Sequence, residues 1–134
     1  MGIAHKPTDP LISIVDDDED SREAVALLTR SLGFAVDTFA SAAEFLTSAT
    51  MLKTSCLIVD INMPRMTGVQ LHRHLVTEGF IIPTVLITAY PDEAVRTRAL
   101  ADGVLGYLSK PCSESDLLRC LRLALQAGKT DRGQ

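Results

Sequence analysis

No stretch of this sequence is both apolar enough and long enough to cross a membrane as a helix. The apolar runs, such as Leu11–Val15, are far shorter than the roughly 20 residues that a bilayer requires. The segment MGIAHKPTDP at the start also lacks the apolar core of a secretory signal, and Lys6 stands where a myristoylation signal needs Ser or Thr. We therefore expect a cytoplasmic protein that has no membrane partner.

Cysteine and excess positive charge are scarce as well. The three cysteines, Cys56, Cys112 and Cys120, are widely spaced and form no C-x-x-C pair. Such spacing indicates neither a disulfide framework nor a zinc site, so we expect three reduced thiols. The net charge of -4 argues against a chain whose main task is to bind nucleic-acid phosphates. We expect no direct binding of nucleic acid by this chain.

What the sequence does contain is typical of one globular domain. It has 134 residues, of which 46% are hydrophobic and 22% are charged. A chain of this size and composition can bury a substantial core. We place the domain at residues 11–128, after an N-terminal extension at 1–10 and before a polar tail or start of a linker at 129–134.

Short apolar runs alternate with longer segments of helical period, which predicts an α/β fold with parallel strands and crossover helices. The predicted strands are 11–15, 35–39, 56–61, 83–88 and 104–108. The predicted helices are 20–32, 42–48, 67–78, 91–102 and 114–127. Helix N-caps are predicted at Ser41 and Ser113, Pro91 is placed in the first turn of the fourth helix, and Gly128 is predicted to end the fifth.

Polar residues follow four of these strands at the point where each strand ends. Because ligands of parallel α/β sheets bind beyond the carboxyl ends of the strands, we expect these residues to converge on one edge. They are Asp16 and Asp17 at the end of the first strand, Asp60 at the end of the third, Thr88 at the end of the fourth and Lys110 at the end of the fifth.

These side chains suit phosphoryl transfer. Carboxylates gathered within a few ångströms repel each other unless a cation joins them or one of them takes up a proton. Asp16, Asp17 and Asp60 therefore imply a metal, and Mg2+ is the natural candidate. The ammonium of Lys110 can pair with Asp60 at rest and with phosphoryl oxygens afterwards, while Thr88 offers a hydroxyl donor. Asp60 is then the expected nucleophile.

Four motifs together resemble the receiver domain of two-component response regulators over residues 11 to 128: IVDDDED, LIVDINMPRMTG, LITAY and YLSKP. The residues in these motifs are similar to those of the FixJ-like branch, whose members usually join the receiver to a DNA-binding domain. The resemblance implies a flavodoxin-like (βα)5 fold whose sheet, with helices on both faces, has strand order 2-1-3-4-5. It also implies a phosphoprotein of signal transduction rather than an enzyme, which promotes only its own phosphorylation and dephosphorylation.

The resemblance assigns the metal ligands and the partner. It implies that Asp17 and Asp60 bind Mg2+ directly together with the backbone carbonyl of Asn62, while Asp16 acts through water. Asp60 receives its phosphoryl group from a sensor histidine kinase or a phosphorelay.

The resemblance assigns the switch too. It implies that Thr88 and Tyr107 form the switch pair, that Lys110 holds the phosphoryl oxygens, and that the Lys110–Pro111 bond is cis. The output surface comprises the fourth helix, the last strand and the fifth helix, and it could mediate a phosphorylation-dependent homodimer. Two positions matter for kinetics: Cys112 replaces a bulky apolar residue, and Tyr90 stands at a variable position beside the site.

Other readings of the acidic residues remain open. Residues 16–20 could be a solvated loop that favours the helix dipole. An EF-hand is excluded, because Ser21 and Leu27 stand where its Gly and Glu belong. An aspartyl-phosphate phosphatase would need a second Asp where Asn62 stands. A binding module that signals without phosphorylation would be favoured by the loss of an acidic residue or of Lys110, and none is lost.

A tyrosine and two histidines have purely structural interpretations. Tyr107 could serve only as half-buried packing on its strand. His72 and His74 are two positions apart on a helix, so they cannot share a face or a metal, and we expect both at the surface.

Overall fold

The strands and helices of the computed structural model alternate along residues 5–133, with side chains described through residue 127. The strands are β1 (Leu11–Val15), β2 (Ala35–Phe39), β3 (Cys56–Asp60), β4 (Thr84–Thr88) and β5 (Gly106–Ser109). The helices are α1 (Glu19–Ser31), α2 (Ala42–Leu46), α3 (Gly68–Thr77), α4 (Glu93–Ala101) and α5 (Glu114–Gly133). All pairings are parallel and the strand order is β2-β1-β3-β4-β5, which confirms the predicted fold.

Apolar side chains on both faces of the central strands hold the layers together. Every residue of β3 and of β4 is buried, as expected for parallel strands covered on both sides. Side chains alternate between faces along a strand, so Ile58 packs with α1 and α5 while Leu57 and Val59 pack with α2, α3 and α4. The edge of the sheet where the strands end is therefore held on a rigid base.

Helix starts follow local capping chemistry. Ser41 and Ser113 accept backbone N–H bonds from residues three positions later, which confirms both predicted caps. Thr67 and Gln70 form a full capping box at the start of α3. Pro91 lies before the cap of α4 rather than in its first turn, because Asp92 accepts the first free N–H groups of that helix.

Among the predicted boundaries that differ from the structure are the start of the last strand and the end of the last helix. β5 begins at Gly106, not at 104, because the Val104 N–H donates to the Ala99 carbonyl and closes the turn after α4. Gly128 does not end α5, which continues to Gly133, so residues 129–133 are helical rather than an aperiodic polar tail. An interior glycine weakens a helix by only about 1 kcal/mol, which is too little to force a stop. Parts of the predicted terminal segments, residues 1–4 and 134, lie outside the described residues, and the predicted domain bounds stay a prediction.

The expectation that both histidines lie at the surface holds for His74 and is wrong for His72. His72 is buried beside Leu71 and Leu75 because residues 71, 72 and 75 share one face of α3. Burial lowers the pKa of His72.

Two further expectations concern the thiols and membrane-spanning helices. The cysteines are free thiols, and burial raises the pKa of Cys56 to about 12. Within the part of the chain that the structure describes, no helix is long and apolar enough to span a membrane.

Gly106 allows α5 to pack closely on β5. A Cβ added to Gly106 would lie 2.6 Å from the Cys120 Sγ. We expect Gly106→Ala to lower the free energy of unfolding by about 1–3 kcal/mol, as overpacking does. We expect Cys120→Ala to restore part of that loss when the two are combined, because it removes the clashing sulfur. Urea unfolding of both single variants and of the double variant measures this coupling, and strictly additive effects would contradict it.

Candidate functional site

The predicted site residues meet at one edge of the sheet. Asp16 directly follows β1, Asp60 and Thr88 are the last residues of β3 and β4, and Lys110 directly follows β5. Parallel pairing of β3 with β4 and of β4 with β5 places these strand ends side by side. The expected convergence is therefore present.

Three carboxylates form the centre of this edge. Oxygen atoms of Asp16, Asp17 and Asp60 all lie within 4.8 Å of one another. Asp16 is 1% exposed and Asp60 is 4% exposed, whereas Asp17 faces solvent. Two acids are thus kept away from water, where their mutual repulsion is poorly screened.

Lys110 offsets part of this repulsion. Its Nζ lies 3.4 Å from Asp60 Oδ1, so the expected ion pair is present, and it lies closer still, at 2.8 Å, to Asp16 Oδ2. Burial lowers the pKa of Lys110, but the hydrogen bond and charge of Asp16, together with Asp60, outweigh it and raise the pKa overall. Lys110 is therefore charged at neutral pH.

Asp60 is the carboxyl whose ionisation is opposed. Burial and the charge of Asp16 raise the pKa of Asp60, and Lys110 and the Asn62 backbone N–H oppose this rise only in part. A further cation beside Asp60 would favour its charged form.

The carboxylate cluster fits a hard divalent cation. Three ionised carboxylates against one ammonium leave two net negative charges on Asp16, Asp17, Asp60 and Lys110. Mg2+ prefers carboxylate oxygens at about 2.1 Å, so two oxygens on one ion lie at most about 4 Å apart. The spacing within 4.8 Å therefore requires only a small contraction.

The loop after β3 folds back against Asp60. The Gly68 N–H donates to the Ile61 carbonyl at 3.2 Å, and Arg65 adopts a left-handed φ of 67° within the loop. A Cβ on Gly68 would lie 2.6 Å from the Asp60 carbonyl oxygen, so only glycine fits there without moving the backbone. Gly68 thus allows α3 to start directly beside the central carboxylate.

The hydroxyls of Thr88 and Tyr107 are both occupied. Thr88 donates to Asn62 Oδ1 at 2.8 Å and accepts from the Tyr90 N–H at 3.0 Å. The half-buried Tyr107 accepts from the Asp92 N–H at 3.0 Å, at the start of α4. Strand packing alone therefore does not describe Tyr107, because its hydroxyl also anchors a helix start.

Sequence reasoning missed three contributions to this site. It gave Asn62 a role only through its carbonyl, whereas its side chain holds Thr88. It gave Gly68 no role at the site and did not consider Arg22, whose Nη1 donates to the Asp16 carbonyl at 2.9 Å. The position of Gly68 eight residues after Asp60 was the available signal for a close approach. The cis bond between Lys110 and Pro111 is present as the resemblance implied.

Comparison with known proteins identifies the family. A model of the response regulator receiver domain matches residues 12–122, which is most of the chain. The chain belongs to this receiver family. A receiver domain receives phosphoryl signals in two-component systems, which accords with acidic residues, a hydroxyl and an ammonium meeting at one edge.

Curated relatives of this receiver domain are response regulators. It is 39% identical to the response regulator protein TmoT of Ectopseudomonas mendocina, over 87% of this chain and 53% of the relative. It is 32% identical to the transcriptional regulatory protein FixJ of Rhizobium meliloti, over 87% of this chain and 57% of the relative. The chain therefore spans about half the length of the curated relatives it matches.

Solved structures agree with this assignment. The response regulator StyR superposes with a TM-score of 0.81 at 36% identity, over 93% of this chain and 63% of that chain. The N-terminal domain FixJ-N superposes with a TM-score of 0.78 at 31% identity, over 88% of this chain and 94% of that chain. The receiver fold thus accounts for nearly all of this chain.

The close approach of Gly68 to Asp60 predicts a substitution that damages the site. We expect Gly68→Ala to lower the free energy of unfolding by about 1–3 kcal/mol, because the clash is with backbone that cannot rotate away. Gly79→Ala is the control, since its positive φ strains any side chain but its Cβ would meet nothing within 4 Å. Mg2+ titration should show weakened binding only in Gly68→Ala, and equal Mg2+ affinity in both variants would contradict the prediction.

Proposed function

We propose that this receiver domain accepts a phosphoryl group on Asp60 in a Mg2+-dependent reaction. The observation that carries the proposal is the buried Asp60 carboxylate, held against Asp16 and Asp17 with Lys110 alongside. This arrangement leaves net negative charge for a cation and one mobile ammonium for the incoming phosphoryl oxygens.

Each residue has a role in this chemistry. A carboxylate oxygen of Asp60 attacks the phosphorus of a phosphohistidine, the P–N bond breaks, and its electron pair leaves with the imidazole. Asp17, Asp60 and the Asn62 carbonyl would hold Mg2+, with Asp16 acting through water. The ion would neutralise charge on the phosphoryl oxygens. Lys110 moves from the carboxylates to a phosphoryl oxygen. The domain promotes only its own phosphorylation and dephosphorylation.

A cleft beside the site supports approach by a protein donor. It has a volume of about 400 Å³ and lies between α1 and the Lys110–Pro111 segment. Its walls include Val25, Leu28 and Ile87, while Asp18 and Lys110 supply charge toward the site. An apolar surface next to a charged centre suits a histidine kinase that must dock before it transfers its phosphoryl group.

Phosphorylation would rearrange two hydrogen bonds. The aspartyl phosphate carries roughly 1.5 to 2 negative charges where the carboxylate carried one, and it presents strong acceptor oxygens. It would draw the Thr88 hydroxyl away from Asn62 Oδ1, and the space released would let Tyr107 turn inward. Tyr107 would then give up its bond to the Asp92 N–H, which changes the start of α4. The surface of α4, β5 and α5 thereby reports the state of Asp60.

The free energy of one hydrogen bond is too small to drive a complete switch. A switch from 1:99 to 99:1 requires roughly 5.5 kcal/mol of differential stabilisation. A charge-assisted hydrogen bond from Thr88 contributes roughly 1.5–3 kcal/mol. Lys110 and the loop after β3 must supply the remainder, or the population shift stays partial. The partner that reads this surface is a second receiver or another protein, so a phosphorylation-dependent homodimer is one expected output.

Incubation with acetyl phosphate and Mg2+, followed by mass spectrometry, tests phosphorylation. We expect one base-labile phosphoryl adduct in the wild type and none in Asp60→Asn, because the amide is nearly isosteric but is no nucleophile. Asp37→Asn, on β2, is a matched control and should be modified like the wild type. An adduct in Asp60→Asn at the wild-type rate would refute the site, and a wild type without an adduct would favour a module that signals without phosphorylation.

Beryllofluoride, a phosphoryl mimic, tests the switch. We expect Thr88→Ala to bind the mimic but to lose most of the chemical-shift change around Tyr107, because the hydroxyl that couples the two is missing. Asn62→Ala should keep or enlarge that change, since it removes only the competing acceptor of Thr88. NMR spectra and sedimentation of both variants measure the response. A full wild-type response in Thr88→Ala would contradict this coupling route.

A further inference from the structure

Arg22 occupies a position that helix stability does not explain. It lies in the first turn of α1, after Glu19 and Asp20, which suit the positive end of the helix dipole. A guanidinium at this end opposes the dipole and gains nothing from it. Its side chain instead turns back past the cap, and Nη1 donates to the Asp16 carbonyl oxygen at 2.9 Å.

That bond completes the fixation of Asp16. Asp16 Oδ1 accepts from the Asp18 N–H at 3.0 Å, and Oδ2 accepts from Lys110 Nζ at 2.8 Å. With Arg22 on the carbonyl, all three oxygens of this residue are engaged. The Arg22 backbone N–H makes the first i→i−4 bond of α1, to the carbonyl of the cap residue Asp18 at 2.9 Å.

The Asp16 carbonyl matters because of the residue that follows it. A peptide unit is planar, so fixing the Asp16 carbonyl also fixes the direction in which the Asp17 Cα lies. Asp17 is the exposed carboxylate of the cluster, which makes its orientation the least constrained by packing. Arg22 therefore constrains the peptide from which Asp17 extends toward the cluster.

We propose that Arg22 is a positioning residue for phosphoryl transfer, which orients Asp17 toward the metal site through the Asp16 carbonyl. This inference rests on the proposed function, because it assigns Arg22 to the same Mg2+ site. Its effect on Mg2+ binding can nevertheless be measured without any phosphoryl transfer.

A charge effect and an orienting effect of Arg22 predict opposite changes in Mg2+ affinity when Arg22 is replaced by alanine. If the positive charge of Arg22 acted only through Coulomb repulsion, Arg22→Ala would tighten Mg2+ binding. If Arg22 orients Asp17, Arg22→Ala weakens Mg2+ binding, because partners that orient ligands typically contribute 10- to 100-fold to metal affinity. Arg22→Lys separates the charge effect from the orienting effect further, because lysine keeps the positive charge but lacks the planar fork of donors.

The experiment is a calorimetric Mg2+ titration of the wild type, Arg22→Ala, Arg22→Lys and Arg30→Ala. Arg30 is the matched control because it is exposed in the last turn of the same helix, far from the acidic cluster. We expect Mg2+ affinity to fall about tenfold in Arg22→Ala, to fall by less in Arg22→Lys and to stay unchanged in Arg30→Ala. The rate with acetyl phosphate should recover toward the wild-type value at saturating Mg2+.

Several outcomes would overturn the inference. Tighter or unchanged Mg2+ binding in Arg22→Ala excludes a positioning role, and so does an Arg22→Lys variant that matches the wild type. Thermal unfolding in EDTA shows whether Arg22→Ala is folded, and if it is not, Arg22→Lys decides the question. A wild type that binds Mg2+ in an Arg22-dependent manner but takes up no phosphoryl group refutes the proposed function and leaves the Arg22 contact supported.

Discussion

The mutual repulsion of Asp16 and Asp60 is the constraint on which the rest of this structure depends. Both carboxyls are buried at one edge of the sheet, where water screens their charges poorly, and the pKa of Asp60 is raised as a result. Lys110 contacts both carboxylates and offsets part of the repulsion. The fully buried strands β3 and β4 supply the packing free energy that keeps the acids together.

The backbone carbonyl of Asp16 is held by a hydrogen bond, and that of Asp60 lies close against the start of α3. Arg22 donates to the carbonyl of Asp16, and Gly68 leaves room for the carbonyl of Asp60 against the start of α3. Fixing a peptide carbonyl constrains the backbone, because the plane of the peptide determines where the neighbouring Cα atoms lie. The carboxylates therefore keep their relative positions although they repel each other, and a site that binds a small hard cation needs such pre-organisation.

Two hydroxyls make hydrogen bonds, one beside the acidic cluster and one at the surface. Thr88 bonds Asn62 beside the acids, and Tyr107 bonds the backbone at the start of α4. Each hydroxyl would have to leave a formed hydrogen bond before it could serve another arrangement, so the resting state is stabilised at both positions. The proposed switch would exchange these bonds for others, and a local charge would then shift the populations of the two arrangements.

The sequence by itself determined the order of strands and helices, because apolar runs and helical periods are local properties. It also determined which residues lie at the strand ends, and parallel topology then required Asp16, Asp60, Thr88 and Lys110 to meet. Only the tertiary structure decided which of these groups touch. Lys110 lies nearer to Asp16 than to Asp60, across 94 positions of sequence, and Thr88 reaches Asn62. Contacts of this kind depend on how segments that are far apart in the sequence pack against each other. A shift of a few tenths of an ångström changes which atoms are in contact, and no local pattern encodes such a shift.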